Sequence, residues 1–370
     1  MKVGVAMQDI MGLLRKGISE LETYVPGKSL EEVQAELGLT EITGMAFNEN
    51  PCGPSPKALA AIERELKNVH LYPEGSCTAL RRRMSQLLGI DEDMITISNG
   101  ADNAILLVGS AFISEGEEVI MADPTFSVYK TVSKIMGGRP ISVKVKNHVH
   151  DLEGMRKRIG DRTKLVFVCN PNNPTGTIVD RHELDGFLSQ VPEKVVVVLD
   201  EAYIEFVSEP AYPTGIDYAK QGYNVVSLRT FSKLYGLAGM RVGYAVGRSD
   251  LIGALNKVRE PFPVSRLAQA AALGALDDEA FRERVLIHNR EAKAYLCKEF
   301  EQMGLPYVPS HTNFVFVDLK RDSREVSQSL LKEGIIIRPG HLWDFPSFAR
   351  VTVGTMEDNR RFIGALKRIL

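Results

Sequence analysis

Cysteine is scarce in this chain, and its few copies stand far apart. The four cysteines, Cys52, Cys77, Cys169 and Cys297, form no C-x-x-C pair. That spacing argues against zinc and against a disulfide framework, and it leaves a reduced, cytoplasmic setting as the default. No apolar run approaches the roughly 20 residues needed to cross a bilayer. The stretch from Met1 to Leu14 lacks a long apolar segment followed by a small-residue cleavage site, so no secretory signal is expected. Net charge is also nearly absent, −2 at pH 7, which removes any electrostatic reason to expect nucleic acid or an anionic membrane as partner. The seven histidines show no H-E-x-x-H spacing and make no case for a metal; His148 and His150 lie in a charged segment and are expected to face solvent. There is no Rossmann glycine pattern after the first strand and no G-x-S-x-G elbow.

What is present is a large core. With 370 residues, of which 44% are hydrophobic, the chain is long enough for two domains, or for one large domain with an elaboration. Gly27-Lys28-Ser29 looks like the end of a P-loop, and Val195 to Glu201 like a Walker B strand. A P-loop needs glycine where Glu22 stands, however, and Pro26 has no N–H to offer a phosphate. No strand precedes it either.

The irregular stretch Asn48 to Pro56 ends with Ser55 as N-cap and Pro56 in the first turn of a helix. Leu59, Ile62 and Leu66 fall on one face of that helix. After Tyr72-Pro73-Glu74-Gly75 a second helix carries Leu80, Met84, Leu87 and Leu88 and closes at Gly89. From Met94 the pattern becomes α/β. Strands are expected at Met94–Ile97, Glu118–Ala122, Ile141–Val145, Leu165–Cys169, Val195–Leu199, Val225–Leu228 and Val242–Val246. Helices are expected at Ala104–Phe112, Thr125–Met136 and Arg181–Leu188. Short, unalternating, β-branched runs separated by helices predict a mostly parallel sheet covered on both faces. After about Lys257 the texture turns α+β, which predicts a smaller C-terminal domain. The expected division is 1–45 as an arm and part of the small domain, 46–258 as the large domain, and 259–370 as the small one.

Ligands of such sheets bind at the carboxyl ends of the strands. Gly100-Ala101-Asp102, Asn170 to Gly176, Asp200 to Tyr203 and Ser232-Lys233 all fall there, which argues for one shared site. Lysine forms Schiff bases with carbonyl compounds when its surroundings lower its pKa. Thr230, Ser232 and Arg241 around Lys233 can hold a dianionic phosphate. Together they point to a phosphorylated aldehyde cofactor, pyridoxal phosphate. Asp200, ending a very apolar strand, suits a protonated ring nitrogen. Tyr203 and Asn173 are candidates for the ring's phenolic oxygen. The amides of Gly100, Ala101 and Asp102 suit the phosphate, and Phe126 can stack on the ring.

These residues also carry a family resemblance. Asn170-Pro171-Asn172-Asn173-Pro174-Thr175-Gly176, Asp200-Glu201-Ala202-Tyr203 and Thr230-Phe231-Ser232-Lys233 through Arg241-Val242-Gly243-Tyr244 resemble the fold-type I pyridoxal phosphate aminotransferases. The likeness covers nearly the whole chain in order. A narrower likeness, to the branch acting on histidinol phosphate in histidine biosynthesis, rests on Tyr24-Val25-Pro26-Gly27, Asn48-Glu49-Asn50-Pro51 with Gly53-Pro54-Ser55-Pro56, Tyr72-Pro73, Pro124-Thr125-Phe126 and Arg350 to Thr355.

The resemblance implies a sheet of the seven-stranded type, and ping-pong transamination with Lys233, Asp200 and Tyr203 as catalytic residues. It implies a homodimer in which Tyr72 reaches the phosphate held by the neighbouring subunit. It places Tyr24, Asn50, Arg338 and Arg350 against the substrate, with Arg350 pairing with a carboxylate in one half-reaction and a phosphate in the other. The chain departs from the family at Leu234, where a small residue is usual, and at His341-Leu342-Trp343-Asp344, which holds the single tryptophan. Two other activities share most of these motifs: aromatic amino-acid transamination, and a lyase such as a threonine-phosphate decarboxylase. A non-catalytic regulator is a third alternative, though the chain carries no DNA-binding domain.

Overall fold

The computed structural model describes residues 13–15, 17–19, 21, 32, 34, 38 and 41–370. Tyr24 and the P-loop-like stretch around Lys28 lie outside the described residues. The strands are β1 (Thr43–Met45), β2 (Ile95–Ser98), β3 (Glu118–Asp123), β4 (Arg139–Lys144), β5 (Thr163–Cys169), β6 (Val196–Asp200), β7 (Val225–Thr230), β8 (Gly243–Gly247), β9 (Tyr307–Val308), β10 (Phe314–Asp318), β11 (Ile335–Pro339) and β12 (Phe348–Thr352). They form two sheets. The first has seven strands in the order β2-β8-β7-β6-β5-β3-β4, and the second five in the order β1-β11-β12-β10-β9.

In the seven-stranded sheet β8 alone runs against its neighbours β7 and β2; the other pairings are parallel. The expected α/β architecture is the one found. Its cause shows in β5 and β6, whose side chains alternate between two cores. Leu165, Phe167, Val196 and Val198 join one, while Val166, Val168, Val197 and Leu199 join the other. A strand buried on both faces has no polar side to present, hence the unbroken apolar runs. Each such side chain withdrawn from water contributes about 1.5–3 kcal/mol. β4 is an edge strand and carries Pro140, a residue that an edge tolerates because no ladder needs its missing N–H.

Helix starts follow their caps. Ser55 Oγ accepts from Ala58 N at 3.1 Å, Asp180 makes a capping box with Glu183, and Gly89 ends its helix at φ +60°. One helix face differs from expectation. In Pro56–Glu65 the buried residues are Ala58 and Ala61, while Leu59 and Leu66 are 46% and 51% exposed. The helix packs on Arg266–Leu276 by small residues: a Cβ on Gly274 would come within 2.5 Å of Lys57 O. A leucine face does not fit so close a crossing. The helix 266–276 shares the larger sheet's core, with Ala268, Ala271 and Ala272 beside Ala58 and Leu80.

Other elements shift by a few residues or arise only in three dimensions. The helix expected at Ala104 begins at Gly100, and that expected at Thr125 begins at Val128. The strand β1, not expected from the sequence, pairs parallel with β11 and joins the N-terminal part of the chain to the second sheet. His150 is buried, not solvated, and His148 is half-buried against Phe345 and Phe348, each at 5.5 Å between ring centroids. The backbone folds them inward: Asn147 and His148 both take positive φ, and Lys146 bridges to Val149.

Past the end of β6 a buried ion pair braces the sheet. Glu201 accepts from Arg229 Nε at 3.0 Å, Ser227 Oγ at 2.6 Å and Gly215 N at 2.7 Å. Removing the carboxylate leaves a buried guanidinium unpaired. Glu201→Ala is therefore expected to cost about 3–5 kcal/mol, read as a lower urea midpoint at constant slope. A loss below about 1 kcal/mol contradicts this account of the pair.

Candidate active site

The parallel strands of the larger sheet bring their carboxyl ends together, and the polar clusters sit there. Lys233 lies three residues beyond β7. Its Nζ donates to Phe47 O at 3.1 Å and lies 5.6 Å from the Tyr203 ring centroid. Burial, and then the charge of Arg350, lower its pKa to about 8. The side chain is thus a usable nucleophile near neutral pH.

Asp200 closes β6 on the adjacent strand, in register with Cys169 of β5 and Leu228 of β7. Burial raises its pKa to about 6, opposed by a hydrogen bond from Tyr129. Tyr129 Oη donates to Asp200 Oδ2 at 2.6 Å, and Ala202 N to Oδ1 at 3.2 Å. Tyr129 is itself buried, stacked on Phe167 and edge-on to Phe126. Tyr203 Oη accepts from Asn48 Nδ2 at 2.9 Å, and burial pushes its pKa up to about 12. Asn48 is a hub, held at φ +56°. Its N–H donates to Thr352 Oγ1 at 3.0 Å, and its carbonyl accepts from Asn313 Nδ2 at 3.0 Å.

Gly100 opens a 13-residue helix whose first N–H groups point past the end of β2, a ready anion site. Arg241 faces that end from the turn before β8. A Cβ on Gly100, at φ +79°, would come within 2.6 Å of Arg241 Nη2, so glycine is required there. Arg241 Nη2 meets Asp102 Oδ2 at 3.4 Å, and Thr230 Oγ1 donates to Ser232 Oγ at 2.9 Å. Asn50 Nδ2 donates to Leu234 O at 2.7 Å. Asn50 and Ser232 line a cavity of about 370 Å³ that extends to Thr352 and Gly354.

The second sheet supplies the other wall. Arg350 on β12 is buried; its Nη1 donates to Asn173 Oδ1 at 2.6 Å and its Nη2 to Ala46 O. Its guanidinium carbon lies 5.4 Å from both the Phe314 and Trp343 ring centroids. Arg338 on β11 is directly opposite Arg350 in register, so the two cations share a face.

Of the expected site residues that the structure describes, one stands apart within this chain. Tyr72 is 78% exposed and stacks on Phe262 at 4.7 Å. Tyr129, Asn48 and Phe314 carry no role in the sequence reading, whereas Trp343 and Phe348 are expected near Arg350 to favour an aromatic side chain; the Trp343 ring lies 5.4 Å from that guanidinium, and Phe348 packs on Phe316 and His148. Only the sheet order brings Tyr129 to Asp200. Asn48 carried one legible signal, its place in the Asn-Glu-Asn-Pro stretch. Among the described residues no group of three or more His, Cys, Asp or Glu could hold a metal ion, and no helix is long and apolar enough to cross a membrane.

A lysine of lowered pKa, a buried carboxylate and a helix N-terminus are gathered at the carboxyl edge of the sheet, an arrangement suited to carbonyl chemistry. The family profile described as aminotransferase class I and II matches residues 40–366, and the chain belongs to that family. It is 49% identical to the histidinol-phosphate aminotransferase of Moorella thermoacetica over 357 residues, covering 96% of this chain and 92% of that one. It is 44% identical over 358 residues to the histidinol-phosphate aminotransferase of Caldicellulosiruptor saccharolyticus, covering 97% of this chain and 100% of that one. Among solved structures, the histidinol-phosphate aminotransferase of Sinorhizobium meliloti in complex with pyridoxal-5'-phosphate matches with a TM-score of 0.88 at 27% identity. That match covers 94% of this chain and 96% of the other.

The lowered pKa of Lys233 has a direct kinetic consequence. Its rate of capture of an added aldehyde is expected to rise with pH through an inflection near 8 and then level off, followed by stopped-flow absorbance. Arg350→Gln removes a positive neighbour and moves the inflection to higher pH. A rate that is flat between about pH 6 and 9 contradicts this electrostatic reading.

Proposed function

We propose that this chain is a pyridoxal phosphate-dependent aminotransferase. It exchanges an amino group between histidinol phosphate or imidazole acetol phosphate and glutamate or 2-oxoglutarate, in histidine biosynthesis. The chemistry rests on one observation above all: Lys233 and the buried carboxylate of Asp200 stand at the ends of adjacent parallel strands. Full-length likeness to histidinol-phosphate aminotransferases supports the substrate.

The residues fit the cofactor. Asp200 is a buried anion whose neighbours are a phenol and a backbone N–H, so a cationic ring nitrogen beside it offsets its desolvation. The close approach of Arg241 to Gly100 makes a cradle with no room for a side chain. When bound, pyridoxal phosphate supplies the electron sink that makes the substrate's α proton removable. Lys233 would be the nucleophile toward its aldehyde and the base for the substrate's α proton. Asp200, held by the hydrogen bond from Tyr129, would keep the ring nitrogen protonated. Tyr203 and Asn173 would donate to the phenolic oxygen, and Phe126 would stack on the ring. The amides of Gly100, Ala101 and Asp102, with Thr230, Ser232 and Arg241, would hold the phosphate. Arg350, with Arg338, Asn50 and Tyr24, receives the substrate's anionic group; a planar guanidinium pairs bidentately with carboxylate or phosphate.

The working form is a cytoplasmic homodimer with Tyr72 reaching the neighbouring site. Leu59, Leu66, Val69, Leu71 and Tyr72 are all more than 45% exposed along one short segment, an apolar surface that a second copy covers. The cofactor-binding unit takes in residues 46–258 together with the helix 266–276 packed in its core, and the smaller unit is the second sheet with the helices after 276.

Aromatic amino-acid transamination is the second reading, favoured by the rings of Trp343 and Phe314 around Arg350. A single-turnover absorbance experiment separates the two. Histidinol phosphate is expected to convert the bound cofactor to its aminated form rapidly, with phenylalanine much slower. Equal or faster conversion by phenylalanine overturns the histidinol phosphate assignment. Lys233→Ala is expected to abolish turnover, and Asp200→Asn to retain cofactor while nearly stopping the proton shift. Unchanged half-reaction rates in either variant contradict the assigned role.

A further inference from the structure

The segment between Arg338 and Arg350 departs from the family pattern, and the fold puts its tryptophan on the substrate arginine. Gly340 to Trp343 is a tight turn directly after β11. A Cβ on Gly340 would come within 2.5 Å of both Phe345 O and Phe348 O, so the turn closes only around glycine. It is tied back by Gly340 N to Ser323 Oγ at 3.2 Å, Phe345 N to Gly340 O at 3.1 Å and Ser323 N to Pro346 O at 2.8 Å. Asp344, at φ +61°, reaches Lys144 of the larger sheet's edge strand at 3.5 Å. Trp343 is thereby fixed edge-on to Phe316 at 6.1 Å, with the Arg350 guanidinium carbon 5.4 Å from its ring. Phe314 stands at the same 5.4 Å.

We propose that Trp343 is a positioning residue for anion recognition, clamping the Arg350 guanidinium between itself and Phe314. Two rings, Asn173 and Ala46 O restrain the cation, so little side-chain freedom is lost when a carboxylate or phosphate docks. A cation held against aromatic faces also keeps its positive charge at low desolvation cost. The proposal rests on the reading of Arg350 as the anion anchor. Because Trp343 is the single tryptophan, its emission reports on the arginine beside it.

The test uses the full-length protein. Saturating succinate, and separately inorganic phosphate, are expected to change Trp343 emission, and Arg350→Gln is expected to remove that response. Trp343→Ala is expected to raise KM for glutamate about three- to thirtyfold with kcat changed less than about threefold. Trp343→Phe is expected to recover most of that loss, because a smaller ring still faces the cation. A KM for Trp343→Ala within about twofold of the parent overturns the proposal, as does a Trp343→Phe no better than alanine. If the alanine variant does not fold, Trp343→Phe and the parent's emission still decide. Emission that ignores saturating succinate while Arg350→Gln raises KM overturns the clamp and leaves the anchor standing. An unchanged KM in Arg350→Gln overturns the anchor itself.

Discussion

A single guanidinium joins the two sheets at the site. Arg350 belongs to β12 of the smaller sheet, yet its Nη1 donates to Asn173 Oδ1 beyond β5 of the larger one. Its other end donates to Ala46 O, one residue before the Phe47 carbonyl that receives Lys233. One short stretch of backbone thus takes hydrogen bonds from both cations. The same arginine lowers the pKa of Lys233, so the group that orders the seam also tunes the nucleophile. A charge-assisted hydrogen bond held out of water contributes more than a neutral one, and its loss loosens both walls of the site together.

Behind that seam the larger sheet confines charge. Asp200, Glu201 and Arg229 are all buried near the ends of β6 and β7. Glu201 and Arg229 satisfy each other, with Ser227 and Gly215 completing the carboxylate. Among the described residues Asp200 has no cationic partner at hydrogen-bonding distance; it accepts from Tyr129 and Ala202. Two neighbouring acids therefore meet different fates in one environment: one is a brace, the other a buried carboxylate whose pKa burial raises to about 6.

Much of this was legible in the chain itself. The β-branched runs, Asp200 at a strand end and Lys233 beyond β7 are local signals, because period and turn chemistry act over a few residues. Two kinds of feature were not. Asn48 bonds Tyr203 and Thr352, which lie 155 and 304 residues away, and Tyr129 bonds Asp200 across 71. No local pattern encodes partners chosen by sheet order. His150 sat among charges and looked solvated, yet the turn at Asn147 and His148 folds it under the sheet edge. Leu59 and Leu66 had the helical period of a core face, but the core took the alanines, because the facing helix approaches too closely for leucine.

The central claim, that the two walls of the site are coupled through Arg350 and Asn173, is tested most directly by a double-mutant cycle. Arg350→Lys, Asn173→Ala and the double variant would be compared in kcat/KM for glutamate. The account predicts that the two single losses overlap, with a coupling energy of about 1–3 kcal/mol. Additive losses, with coupling within about 0.3 kcal/mol of zero, would contradict it and make the walls independent.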